Sequence, residues 1–250
     1  MQNPVSTLDR VKRNAPASPY DEIARIYDPW SRTVVEDVPF YVEEARRSGG
    51  PVVELGVGTG RIAIPIASDG IAVIGVDSSA GMLAVCRERA ELAGVADRLD
   101  LRLGDLREPP VDERVQLVIC PFRSYLHLPT DAERLQALRA ARRLLLPGGR
   151  LVFDVFAPSP DDVAETHGRW LEREPGIFER ADWDEERQTL SLRVRGGGAE
   201  AELSLAWLSV AEWRELLAEE GFVVDAVYGW FDRKPWRGGE DSIWVCRRRA

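Results

Sequence analysis

The chain has 250 residues, of which 44% are hydrophobic, enough to bury a sizeable core as one large domain or one domain with an inserted lid. Its 33 Lys and Arg against 42 Asp and Glu leave a net charge of −9, which disfavours nucleic acid as a partner because phosphate backbones need a basic footprint. Three scattered cysteines and two histidines suggest neither a metal site nor a disulfide framework, and no apolar run approaches membrane-spanning length.

Residues 1–18 are polar, lack the apolar stretch of a secretion signal and read as a flexible segment, so a cytoplasmic setting is expected. Tyr20 to Trp30 reads as a short helix stopped before Pro29, and Glu36 to Arg47 as an amphipathic helix closed by Gly49-Gly50. Arg46-Arg47, Arg142-Arg143 and Arg247-Arg248-Arg249 read as solvated helix ends and tail. Then comes Val52-Val53-Glu54-Leu55-Gly56-Val57-Gly58-Thr59-Gly60-Arg61. This is a buried strand, a tight turn and the start of a helix, with glycines that let backbone N–H groups approach a ligand. A dinucleotide site wants G-x-G-x-x-G, but Arg61 and Ala63 stand where its third glycine would fall.

A second strand, Ile71 to Asp77, ends in an acid placed to accept hydrogen bonds from ribose hydroxyls; Ser78 or Ser79 caps the next helix, and Met82 can lie against a base. A third, Leu99 to Leu103, runs into Gly104-Asp105-Leu106, where the acid can accept an adenine amino group or simply sit in a surface turn. The fourth, Val115 to Cys120, leads to Pro121-Phe122-Arg123-Ser124-Tyr125-Leu126-His127. Thr130-Asp131-Ala132-Glu133 is a capping box opening a helix to Leu146, and the fifth strand, Arg150 to Phe156, follows Pro147-Gly148-Gly149. Within an insertion at 159–208, Leu190, Leu192 and Val194, then Leu203, Leu205 and Trp207, alternate around Gly196-Gly197-Gly198, which predicts an antiparallel hairpin or small sheet. Ser209 to Glu212 caps a helix ending at Gly221, and Phe222 to Tyr228 with Ser242 to Arg247 complete the main sheet as an antiparallel pair.

Four strand ends in register, each with a fitting polar residue, resemble the class I S-adenosylmethionine-dependent methyltransferases. The resemblance implies an α/β fold: a doubly wound, seven-stranded, mostly parallel sheet with its last strand antiparallel, here with a small antiparallel insertion as lid. The divisions that follow are 19–158 as cofactor-binding core, 159–208 as lid and 209–250 as the completing segment. It implies S-adenosylmethionine as cofactor, held by Tyr27, Glu54, Gly56, Gly58, Gly60, Asp77, Ser78, Met82, Asp105, Leu106 and Pro121. Cys120-Pro121-Phe122-Arg123 lacks the Asn/Asp-Pro-Pro-Tyr/Phe motif of enzymes that methylate nucleobase or amide nitrogen, which puts those substrates in doubt and leaves the nucleophile open; a small-molecule acceptor at N or O is the expectation. Tyr20, Phe122, Arg123, Tyr125 and Trp170 are the expected acceptor contacts. His127 is the candidate base, or else a loop histidine bonded to backbone; His167 is a weaker candidate. Seven of the eight tryptophans, at Trp170 and later, form either an aromatic lid or the filling of a thin sheet. A homodimer is compatible with this reading, and a membrane partner is not expected. The competing readings are an RNA or protein methyltransferase, a cofactor-binding protein without transfer, and an NAD reductase, against which the glycine spacing speaks.

Overall fold

The computed structural model describes residues 18–31 and 35–249, so the flexible segment expected at the start lies almost wholly outside the described residues. Helices α1 (Pro19–Trp30) and α2 (Asp37–Ser48) lead into β1 (Val52–Leu55), α3 (Ala63–Ser68), β2 (Val73–Asp77), α4 (Ala80–Leu92), β3 (Leu99–Leu103), β4 (Val115–Cys120), α5 (Asp131–Leu144) and β5 (Leu145–Phe156). The insertion contributes α6 (Pro160–Thr166) and strands β6 (Trp170–Glu174), β7 (Ile177–Asp184), β8 (Thr189–Gly196) and β9 (Ala199–Ala206). Helix α7 (Val210–Glu219), β10 (Phe222–Tyr228) and β11 (Asp241–Arg248) follow.

The main sheet has the order β10-β11-β5-β4-β1-β2-β3, and β11 runs antiparallel to both neighbours. All four residues of β1 are buried, as a central parallel strand covered by helices on both faces requires. The expected capping boxes form at Thr130 and Ser209, and a third forms at Ser18, where Asp21 closes the box at the head of α1. Helix α1 does not stop before Pro29 but carries it in its last turn. There the missing N–H forfeits a single bond, and the Ser31 N–H still reaches the Tyr27 carbonyl at 2.8 Å.

The insertion is larger than the alternation indicated: a four-stranded antiparallel sheet in the order β6-β7-β8-β9. Leu190, Leu192, Val194, Leu203 and Leu205 are buried on its inner face, in the same core cluster as the main-sheet residues Val53, Leu55 and Phe153. Ile26 and Trp30 of α1 pack against that cluster. Helix α1 is therefore held between the main fold and the added sheet.

The tryptophans divide by place. Trp213 and Trp244 are fully buried and fill the core: the Trp244 ring stacks on Phe153 at 5.8 Å, and Trp213 lies 5.4 Å from it. Trp207 is buried too, edge-on to Trp183 at 5.6 Å. Replacing Trp213 by Ala should cost about 3–5 kcal/mol, the scale for emptying a buried aromatic site. Urea unfolding measures it, and a loss below about 1 kcal/mol would show that the layer under β5 can collapse around the gap.

Candidate functional site

The carboxyl ends of β1 to β4 open onto a cleft of about 390 Å³ lined by Gly56, Gly58, Asp77, Ser78, Met82 and Leu106, among others. This is where an open α/β sheet binds ligands. The turn after β1 explains its glycines. Gly56 and Gly58 are left-handed, at φ +77° and +54°, and a Cβ on Gly56 would fall 2.4 Å from Ser124 Oγ. Gly60 serves packing instead. It does not line the cleft, and its missing Cβ lets Cys86 of α4 lie against the turn, since one built there would fall 2.6 Å from the Cys86 Sγ.

Asp77 closes β2 with its carboxylate facing the cleft. Its Oδ2 accepts the Gly58 N–H and its Oδ1 the Ser79 N–H, both at 2.8 Å, so it braces the turn it borders. Burial raises its pKa, against the pull of those bonds. Ser79, not Ser78, caps α4 by accepting the Met82 N–H, which leaves Ser78 in the cleft wall. Glu54 is buried at the end of β1, with Oε2 lacking a partner among the described residues; burial lifts its carboxyl well above the usual range although Arg61 opposes this. It is not among the cleft-lining residues.

Asp105 lines the cleft, but its carboxylate is already engaged. Arg107 holds it through Nε at 2.9 Å and Nη2 at 2.6 Å, and despite its burial these bonds keep its pKa below the usual value. Gly104, Asp105 and Leu106 line this wall of the cleft together with Arg107. Pro121 is buried outside the cleft, its carbonyl accepting the Ser124 hydroxyl at 2.9 Å.

A second cavity, of about 330 Å³, lies between α1, the ends of β4 and β5, and the inner face of the small sheet. The two cavities share Tyr20, Tyr27, Phe122, His127 and Leu203. The rings among these meet edge to face: Tyr20 lies 5.8 Å from Tyr27 and 5.4 Å from His127, and Tyr27 lies 6.4 Å from Phe122. His127 is bonded to backbone, as its second reading expected. Its Nδ1 is 3.2 Å from the Ser204 carbonyl, which can only accept, so Nδ1 carries the proton. Nε2 then accepts the Tyr20 hydroxyl at 2.9 Å. Burial, opposed by the Ser204 bond, lowers its pKa to about 4, so the ring is neutral near pH 7. His167 instead accepts the Trp183 backbone N–H at 3.1 Å and serves the insertion.

Phe122 and Arg123 are both left-handed, at φ +53° and +67°, an uncommon pair for residues with side chains. Asp154 over-determines them: its Oδ1 accepts the Phe122 N–H at 2.9 Å and the Tyr41 hydroxyl at 2.5 Å. The Arg61 guanidinium sits 4.5 Å over the Phe122 ring and pairs with Asp37. Burial pushes Asp154 up to about 6, although the bonds from Tyr41 and Phe122 pull the other way. Arg123 lines the second cavity, pairs with Asp241 and lies over Phe156. Tyr125 is not an acceptor contact: it is fully buried against Phe153 and Trp213, because the turn that exposes Phe122 and Arg123 rotates it into the core. Trp170 is likewise outside both cavities, on the edge strand β6, with Arg195 over its ring at 4.0 Å.

Helix α1 is fastened over the cleft by two acids that sequence reasoning passed over. Asp21 Oδ1 accepts the Ser79 hydroxyl at 2.6 Å and the Gly81 N–H at 2.8 Å. Asp28 pairs with Arg89 and accepts the Thr59 hydroxyl at 2.6 Å. Asp154, too, carries a sequence signal: it is the sole charge in the run Leu151 to Phe156.

The lowered pKa of His127 makes a prediction. Its ordinary value is 6.5 and its folded value about 4, so the unfolded chain takes up the proton first as pH falls. The stabilisation from a neutral His127 is complete above about pH 6.5 and disappears toward pH 4. Urea unfolding of the native chain and His127→Gln should show a difference that shrinks across this window. A constant difference would mean that the ring is solvated.

A family model described as a methyltransferase domain matches residues 52–149. The chain is 31% identical over 186 residues to a phosphatidylethanolamine N-methyltransferase of Cereibacter sphaeroides, covering 70% of this chain and 88% of the relative. It is 29% identical over 185 residues to a 27-O-demethylrifamycin SV methyltransferase of Amycolatopsis mediterranei, covering 70% of this chain but only 65% of the relative's length. Among solved structures, the CcbJ methyltransferase from Streptomyces caelestis superposes with a TM-score of 0.80 at 27% identity, over 94% of this chain and 99% of that one. Among the described residues no helix is long and apolar enough to cross a membrane. Sheet order, glycine turn and strand-end acids agree with these likenesses: the chain belongs to the class I S-adenosylmethionine-dependent methyltransferase family, and S-adenosylmethionine is its cofactor.

Proposed function

We propose that the chain transfers a methyl group to a nitrogen or oxygen of a small molecule. The observation that carries this reading is the shared aromatic wall: a cleft suited to a nucleoside and a separate, mostly apolar cavity meet at Tyr20, Tyr27, Phe122 and His127. By their names, one relative methylates a nitrogen of phosphatidylethanolamine and the other acts on 27-O-demethylrifamycin SV. The net charge of −9 speaks against RNA, as does the pairing with acids of both arginines that line the second cavity. Three buried, free cysteines suit a reducing cytoplasm.

The cleft fits the cofactor by its own features: glycines whose Cβ atoms are missing where a backbone must be approached, an acid with lone pairs facing inward, and apolar side chains of Met82 and Leu106 to flank a base. When bound, S-adenosylmethionine supplies an already activated methyl group. The chain's share is orientation and exclusion of water. Asp77 and the Gly56 to Gly58 turn would hold the cofactor's nucleoside. Tyr27 and Phe122 close the wall, and Asp154 fixes Phe122. An accepting amine must reach the site unprotonated; an accepting hydroxyl must lose its proton near the transition state, and His127 Nε2 can take it when the Tyr20 hydroxyl turns toward the acceptor. A base as weak as this suits a proton that leaves only as the new bond forms.

Two measurements test the reading. Asp77→Ala should weaken binding of S-adenosylhomocysteine by about 1.5–3 kcal/mol, the scale for hydrogen bonds to a charge. Because Asp77 also braces two backbone N–H groups, stability should fall as well, by about 1–3 kcal/mol. Lost stability with intact affinity would make it a structural brace alone. Incubation with S-adenosylmethionine and a panel of small amines and alcohols should release S-adenosylhomocysteine with at least one of them. Release with RNA or protein but with no small molecule would overturn the assignment.

A further inference from the structure

The second cavity contains more acid than its own cations balance. Arg173 answers to Glu179, whose other oxygen accepts the Trp30 indole N–H at 2.7 Å. Arg123 answers to Asp241, which lies outside the cavity. Asp162 of α6 and Glu240, the residue before β11, remain: both line the cavity, Glu240 close enough to raise the Asp162 pKa, and neither is in an ion pair among the described residues. Two carboxyls so placed share a proton or await a cation. Burial and Glu240 together raise Asp162 to about 6, although Arg123 pulls the other way.

Two further features point to a ligand there. Ser31 lines the same cavity, is 5% exposed, and its Oγ has no hydrogen-bond partner among the described residues. A buried hydroxyl left unpaired costs free energy unless something in the cavity meets it. Trp183 also lines the cavity, its indole N–H fixed by the Thr166 hydroxyl at 2.8 Å and its ring braced by Phe156 and Trp207. An indole held in this way offers its face to a cation.

We propose that the acceptor carries a protonated amino group, which Asp162 and Glu240 bind against Trp183 while the apolar body lies on the inner face of the small sheet. This rests on the reading of the second cavity as the acceptor site. Asp162 and Glu240 line that cavity and not the cofactor cleft, so the ammonium is a handle and the methylated atom lies nearer Tyr20 and His127. Charge complementarity selects the molecule, and the shared wall selects the atom.

The test compares three amines with neutral twins of the same shape: tyramine with tyrosol, phenethylamine with phenethyl alcohol, and cyclohexylmethylamine with cyclohexylmethanol. Binding is followed by ligand-observed NMR titration on protein saturated with S-adenosylhomocysteine. At least one amine should bind about ten-fold or more tightly than its alcohol. The double variant Asp162→Asn, Glu240→Gln should erase that preference while S-adenosylhomocysteine affinity stays within about two-fold of native. Equal binding of every pair, or a preference that survives in the double variant, overturns the proposal. If the folded protein did not bind S-adenosylhomocysteine at all, the enzymatic reading would fall, and the same comparison on the cofactor-free protein would still decide this one.

Discussion

Asp21 sits at the first turn of α4, where backbone N–H groups have no partner within the helix and the peptide dipoles favour a negative charge. Its carboxylate accepts the Gly81 N–H and the Ser79 hydroxyl, and Ser79 in turn caps the same helix. The approach is so close that a Cβ on Gly81 would lie 3.0 Å from the Asp21 Cα. Further along, Arg89 of α4 reaches Asp28 and the Thr59 carbonyl. One helix of the sheet layer thereby grips α1 near both ends. The positions of Tyr20, Tyr27 and Trp30 follow from that grip, and so does the seat of the small sheet, which packs its apolar face on α1.

Beneath this cover the site keeps several carboxyls where water is scarce. Glu54, Asp77 and Asp154 all have raised pKa values, with burial as the leading cause. Each is restrained differently. Asp77 is tied by two backbone N–H groups, Asp154 by a tyrosine and a backbone N–H, and Glu54 chiefly by the field of Arg61. Removing water strengthens every such interaction, so a rearrangement at one acid is felt by the next.

The parallel core was legible because its constraints are local. A strand buried on both faces must be apolar, and a turn approached by a ligand must be glycine, so β1, β2 and their endings announce themselves. The small sheet was half legible. Strands β8 and β9 alternate cleanly, while β6, with Glu172, Arg173 and Glu174, is an exposed edge whose side chains obey no core. Tyr125 was misplaced because residue type cannot tell which way a strained turn rotates its neighbours, and Trp170 because nothing in its sequence marks β6 as the outer edge of the small sheet. Asp21, Asp28 and Glu179 were missed for another reason: their partners lie 60, 61 and 149 residues away, at distances along the chain that no periodicity reports.

Because the same four rings bound both cavities, a ligand that shifted one of them would change the wall that the other cavity presents. A ligand that presses Tyr20 and Tyr27 into place leaves less ordering for the second to bring about, and by thermodynamic necessity the advantage is mutual and equal. The order of loading is then free to vary, but the affinity each molecule reports depends on whether the other is present.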